Sequence, residues 1–74
     1  MKELTVYAVI LTYEDYSQDM DEIYPTKESA IREAKKRFSH RAVIEVQVDE
    51  DTVTEEYGRR WKRTVYRETK QALG

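Results

Sequence analysis

The chain contains no cysteine, which removes disulfides, thiolate nucleophiles and Cys-type zinc sites together. Glycine is nearly as scarce. With Gly58 and Gly74 the only two among 74 residues, no glycine-rich phosphate loop can be built. His40 is the one histidine; it stands beside an expected helix end, where a structural role suffices. Long apolar runs are missing too, since the longest, Val6 to Leu11, is far too short to cross a bilayer as a helix. Seventy-four residues are about half of a typical domain, so one domain with one small core is expected. What is present is a near balance of 39% apolar and 38% charged residues with a net charge of −2. That mixture fits a soluble globular protein better than a disordered or membrane-bound chain, and with no pattern of basic start, apolar stretch and small-residue cleavage site the expected location is cytoplasmic.

Catalysis has little material. No triad assembles from Ser17, Ser29 or Ser39 around the lone histidine, and the fifteen carboxylates include no pair that can be located for acid–base work. A domain this small rarely encloses a pocket that excludes water from a reaction. The expectation is a non-enzymatic protein with no cofactor.

Along the chain, Leu4 to Tyr13 is dense in β-branched and aromatic residues with neither glycine nor proline, and predicts a strand. Both of its side-chain sets are apolar: Leu4, Val6, Ala8 and Ile10 on one parity, Tyr7, Val9, Leu11 and Tyr13 on the other. Such a strand belongs in the middle of a sheet. A polar turn over 14–19 leads to a short second strand, Met20 to Tyr24, ended by Pro25. Thr26 then reads as an N-cap, Glu28 lies in the first turn, and Lys35, Lys36 and Arg37 lie in the last, which predicts a helix over Lys27 to Phe38. Ala30, Ile31, Ala34 and Phe38 make its single apolar stripe. Ala42 to Val48 alternates and predicts a half-buried strand, broken by Asp49, Glu50 and Asp51. Thr52 to Tyr57 is either a helical turn or a hairpin end, with Gly58 supplying a permissive backbone position. Arg60 to Arg67 predicts a fourth strand, and the tail, 68–74, is expected to fray or continue as a weak helix.

The predicted fold is α+β: a two-layer ββαββ sandwich in which an antiparallel sheet of three to four strands carries one helix on one face. A helix of about twelve residues, roughly 18 Å long, covers one side of such a sheet and leaves the other bare. The more purely aliphatic sets, Leu4/Val6/Ala8/Ile10 and Ala42/Ile44/Val46/Val48, are expected under the helix. The bare side then shows Tyr7, Val9, Leu11 and Tyr13 beside Val43, Glu45 and Gln47, with Trp61/Val65 or Tyr66 from the last strand. Contiguous aromatic and aliphatic exposure rimmed by charge marks an interaction surface. Tyr7, Val9, Leu11, Tyr13 and Trp61 are therefore the expected contacts with a second copy, as a homodimer, or with another protein.

Charge offers two alternatives. Arg59, Arg60, Lys62, Arg63 and Arg67 interleave with Trp61 and Tyr66, the mixture that single-stranded nucleic acid requires, because guanidinium groups neutralise phosphates and rings stack on bases. Arg59, Arg60, Trp61, Lys62, Arg63 and Tyr66 are the candidate contacts of that reading; the competing one is an edge strand guarded by charge. Two acidic clusters, Glu14/Asp15/Asp19/Asp21/Glu22 and Asp49/Glu50/Asp51/Glu55/Glu56, match no calcium-loop spacing, so no metal is expected. They serve as solvated turns or imitate nucleic-acid phosphate toward a nucleic-acid enzyme. The ββαββ layout sets the first of them near Lys35, Lys36, Arg37, His40 and Arg41.

An opening strand at Val6 to Tyr13, an acidic turn, the run Tyr-Pro-Thr-Lys-Glu-Ser-Ala at 24–30 leading a helix, and two closing strands resemble the short accessory proteins encoded by bacteriophages and prophages of Gram-positive bacteria. The likeness covers most of the chain and carries over no functional residue. It implies a host-takeover or anti-defence factor that binds a host protein.

Overall fold

A computed structural model of the chain describes residues 3–54 and 59–70, the side chain of Arg59 excepted. Five elements follow one another: β1 (Glu3–Tyr13), β2 (Gln18–Tyr24), α1 (Lys27–Phe38), β3 (Val43–Thr54) and β4 (Arg59–Thr69). The strands form one antiparallel sheet in the order β2-β1-β3-β4, so the ββαββ sandwich holds. Because β2 and β3 both run antiparallel to β1, they are parallel to each other. The helix that joins them has to cross β1, which is why it lies over the two central strands. Among the described residues no helix is long and apolar enough to cross a membrane.

Local chemistry sets the helix ends where the sequence places them. Thr26 has an extended backbone and its Oγ1 accepts the Ser29 N–H at 3.2 Å, satisfying one of the unpaired donors of the first turn. At the other end Ser39 Oγ donates to the Lys36 carbonyl at 2.7 Å. His40 closes the following turn, its Nδ1 accepting the Ala42 N–H at 3.2 Å. In the first hairpin Tyr16 adopts φ 66°, the left-handed region that a side chain with a Cβ disfavours, while Asp15 Oδ1 accepts from both the N–H and the Oγ of Ser17.

The core lies between helix and sheet. Val9, Leu11, Ala30, Ala34, Val43, Val46 and Val48 are buried, with Tyr7, Tyr13, Tyr24, Ile31, Phe38, Val65 and Tyr66 packed around them. This reverses the expected faces of β1: Val9 and Leu11 are under the helix, and Leu4, Val6, Ala8 and Ile10 are on the bare side. Register decides it. Val9 stands opposite Val48 and Leu11 opposite Val46, and Cα partners share a face, so the one apolar row of β3 pulls the odd row of β1 inward. The two helix alanines bring α1 close to the sheet, and the tyrosines ring the margin, where a phenol can bury its ring and keep its hydroxyl near water. A slip in register between Thr12 and Tyr13 turns Val43 inward in place of the expected Ala42 and Ile44.

Two strand ends also differ from expectation. Asp49, Glu50 and Asp51 do not break β3, which runs on to Thr54, and Thr52 to Thr54 are strand. Glu68 and Thr69 continue β4, where Thr69 Oγ1 donates to Glu45 at 2.7 Å. The readings that fall on 55–58 and 71–74, Gly58 and the frayed tail among them, lie outside the described residues.

Candidate interaction face

The helix-free face of the sheet divides into two halves of opposite character. On the β3–β4 half, each polar side chain of β3 from Glu45 to Asp51 that points to this side is tied to β4. Thr69 reaches Glu45; Arg67 Nη2 donates to Gln47 at 2.8 Å; Thr64 Oγ1 donates to Asp49 at 2.9 Å; Arg60 grips Asp51 through Nε at 2.9 Å and Nη2 at 2.5 Å. Asp51 is 7% exposed, so the two-pronged bond supplies the hydrogen bonds its carboxylate loses from water. Those bonds hold its pKa below the ordinary value, against the opposing effect of desolvation. The ladder explains why three consecutive acidic residues remain in a strand: their partners come from β4.

The β2–β1 half is apolar and has no such closure. Leu4, Met20 and Ile23 are 65%, 55% and 57% exposed, and Val6, Ala8 and Ile10 are half-buried between them. Ile23 stands opposite Ala8 and Met20 opposite Ile10, while Val53 stands opposite Leu4. Together they make a continuous strip along β1. At its centre the small side chain of Ala8 leaves a dip, part of a shallow cavity of about 90 Å³. Met20 and Ile23 form one wall, Arg60 and Lys62 the other, and Val6, Ala8 and Ile10 line the floor.

The residues expected to make partner contacts are placed elsewhere. Val9 and Leu11 are core at 0% and 4% exposure, and Tyr7 and Tyr13 pack against that core. Trp61, half exposed, is opposite Thr52, on the side that carries the helix. The bare strip was within reach of a reading of β3: Glu45, Gln47 and Asp49 share one parity, which leaves Val46 and Val48 as its only apolar row, and β1 must match that row.

The basic segment is split by strand alternation. Arg60, Lys62 and Arg67 belong to the bare face; Trp61, Arg63 and Tyr66 belong to the other, and Arg59 occupies the β4 position opposite Thr54. Two of its cations are paired with carboxylates. Arg60 holds Asp51, and Arg63 Nε binds Glu50 at 2.9 Å beside the Tyr7 hydroxyl, which donates to the same carboxylate at 3.2 Å. The Arg63 bond leads the effects that keep Glu50 below the usual carboxylate range. Tyr66 donates to Glu68, a bond that with burial pushes its phenol up to about 12.

Of the first acidic cluster, Asp21 lies against the helix end. Asp21 Oδ2 is 3.4 Å from Arg37 Nε, near enough for an ion pair though not aligned as a hydrogen bond, and Glu33 shares the same guanidinium at 3.3 Å. Asp15 is held below its ordinary pKa by its bonds from Ser17. Among the described residues no group of three or more metal-ligating side chains comes together. No protein family, curated protein or solved structure matches this chain.

Proposed function

We propose that the protein is a non-catalytic interaction module that associates with a second copy of itself through the helix-free face of its sheet. The observation that carries this reading is the strip of Leu4, Val6, Ala8, Ile10, Met20 and Ile23, three of them more than half exposed, on a sheet whose other face already holds the whole core. At about 25 cal/mol per Å², covering those side chains yields several kcal/mol, a large sum for a domain with one small core. Area supports a second copy as the occupant. Strands of seven to twelve residues about 4.8 Å apart, at about 3.4 Å per residue, make a face on the order of 700 Å². A standard stable interface takes about 800 Å² from each partner. Nucleic-acid binding is the weaker reading, because Arg60 and Arg63 are already bound to carboxylates and Trp61 is on the opposite face from Lys62.

Sedimentation equilibrium tests the reading. A dimer is expected at tens of micromolar, and Ile23→Lys, at an exposed position, should convert it to a folded monomer with an unchanged circular-dichroism spectrum. A wild-type chain that stays monomeric at several hundred micromolar overturns the proposal, as does a dimer indifferent to Ile23→Lys.

A further inference from the structure

Apart from any self-association, we infer a small-molecule site at the C-terminal end of α1. It takes a nucleoside monophosphate, with the phosphate on Lys36, Arg41 and His40 and the base beside Tyr13. Two hollows, one charged and one apolar, meet there, and neither is lined by a residue of the apolar strip.

The charged hollow is open and has a volume of about 580 Å³. Glu33, Lys36 and Arg37 line it from the helix, at the three- and four-residue steps that bring side chains to one side, and Ser39, His40 and Arg41 line it from the turn that follows. Three fixed cations thus stand against one carboxylate, in a chain whose net charge is −2. Glu33 is answered by Arg37 at 3.3 Å, and Asp21 approaches the same guanidinium at 3.4 Å. Among the described residues no carboxylate lies within ion-pair reach of Lys36 or Arg41. His40 adds a donor. Because its Nδ1 accepts the Ala42 N–H at 3.2 Å, the neutral ring carries its proton on Nε2.

The dipole of a helix draws cations to its C-terminus, but here that end is already satisfied. Ser39 Oγ donates to the Lys36 carbonyl at 2.7 Å and the His40 N–H to the Arg37 carbonyl at 2.9 Å. The His40 carbonyl accepts from the Val43 N–H at 3.1 Å and from Lys70 Nζ at 2.8 Å. These carbonyls need nothing from the side chains of Lys36 and Arg41, and their bonds reduce the repulsion an incoming anion would meet. Arg41 stands outside the helix altogether. Lys70 comes from just past β4, held beside β3 by its own N–H on the Ile44 carbonyl at 2.8 Å.

The second hollow has a volume of about 200 Å³ and is lined by Leu11, Tyr13 and Val43 with Arg37 and His40, which border the first as well. Leu11 and Val43 are buried and can only floor it, so the phenol of Tyr13 and the imidazole of His40 are the rings at its margin. Inorganic phosphate would use the charged hollow alone. A ligand with a dianionic end and a flat, largely apolar body uses both, and the pair falls within the roughly 300–1,000 Å³ of small-molecule sites, where apolar walls carry a few placed polar groups. A nucleic-acid strand asks instead for cations spaced along a track, and these are gathered at one end of the helix.

Titration of the full chain with adenosine monophosphate at low salt, followed by amide nitrogen–proton NMR, tests the site. Saturable shifts are expected over residues 36–43 and at Tyr13, with a dissociation constant on the order of 0.1–1 mM. Adenosine, which lacks the phosphate, should bind about 10-fold more weakly or worse, because the charge-assisted bonds are lost. Lys36→Ala combined with Arg41→Ala, both at exposed positions, should weaken the monophosphate about 10-fold or more with an unchanged circular-dichroism spectrum, and Arg41→Gln alone about 3-fold. No saturable shift by about 10 mM, shifts centred on β4, equal binding of adenosine, or variants that bind as the native chain does would each overturn the site. So would an oligonucleotide without a terminal phosphate that binds these residues as tightly per nucleotide. None of these outcomes touches self-association, which sedimentation reads separately.

Discussion

Two leucines on β1 show the difference between the faces of this sheet. Leu11 is 4% exposed and belongs to the core, while Leu4, seven positions earlier and therefore on the other parity, is 65% exposed. The same residue type in the same strand has opposite fates because one helix of twelve residues spans about 18 Å of a molecule 50 Å long and can close only one side. The covered face is held by aliphatic packing under α1. The bare face is held by the hydrogen-bonded ladder between β3 and β4, and its apolar half is uncovered.

The largest expected effect comes from treating those two leucines alike. Leu11→Ala should lower stability by about 2–5 kcal/mol, the range for removing a buried leucine, whereas Leu4→Ala should stay within about 0.5 kcal/mol when urea unfolding is followed at a dilution where the chain is monomeric. Equal losses would erase the distinction between the faces.

Next in size is the acid response of the ladder. Asp51 and Glu50 have depressed pKa values in the fold, so the stability they contribute is fully present above their unfolded values, about 3.9 and 4.3, and is lost as pH falls through the lower folded values. The urea midpoint of the native chain should therefore drop as pH falls below about 4. Arg60→Gln should start lower and drop less, because the group that depresses Asp51 is gone. An unchanged acid slope would mean that Arg60 does not hold the bare face together.

The cap of the covering helix sets the third effect. Thr26→Ala should cost about 1 kcal/mol, with faster hydrogen exchange concentrated in the first turn of α1. The smallest test touches neither face: Tyr16→Asn should raise stability by about 0.5 kcal/mol by relieving the left-handed backbone, leaving association unchanged. A gain in association from that substitution would show that the hairpin turn takes part in the interface.

Much of this was legible in the chain itself, and the divide follows the range of the interactions. The helix bounds, Lys27–Phe38, are set by a cap whose hydroxyl accepts the N–H three residues on and by an apolar stripe that repeats every few residues, so a local reading finds them. The extension of β3 through Asp49, Glu50 and Asp51 depends on partners on β4, at least nine positions away, and a local reading mistakes the acidic run for a turn. The continuation of β4 through Thr69 depends likewise on Glu45, 24 positions distant. Among candidate site residues, an uncovered apolar face was foreseeable from counting helix against sheet, but its members were not. Trp61 drew attention as the lone tryptophan, and its placement on the helix-bearing side follows only from its pairing with Thr52.

By itself the sequence determined the order and kind of the elements, the bounds of the helix, and the fact that a single helix must leave one side of the sheet open. Only the tertiary structure decided which side. Alternation with a period of two is symmetric when both rows of a strand are apolar, as they are in β1. That symmetry is broken by the register with β3, whose one apolar row must face the helix and takes Val9 and Leu11 with it.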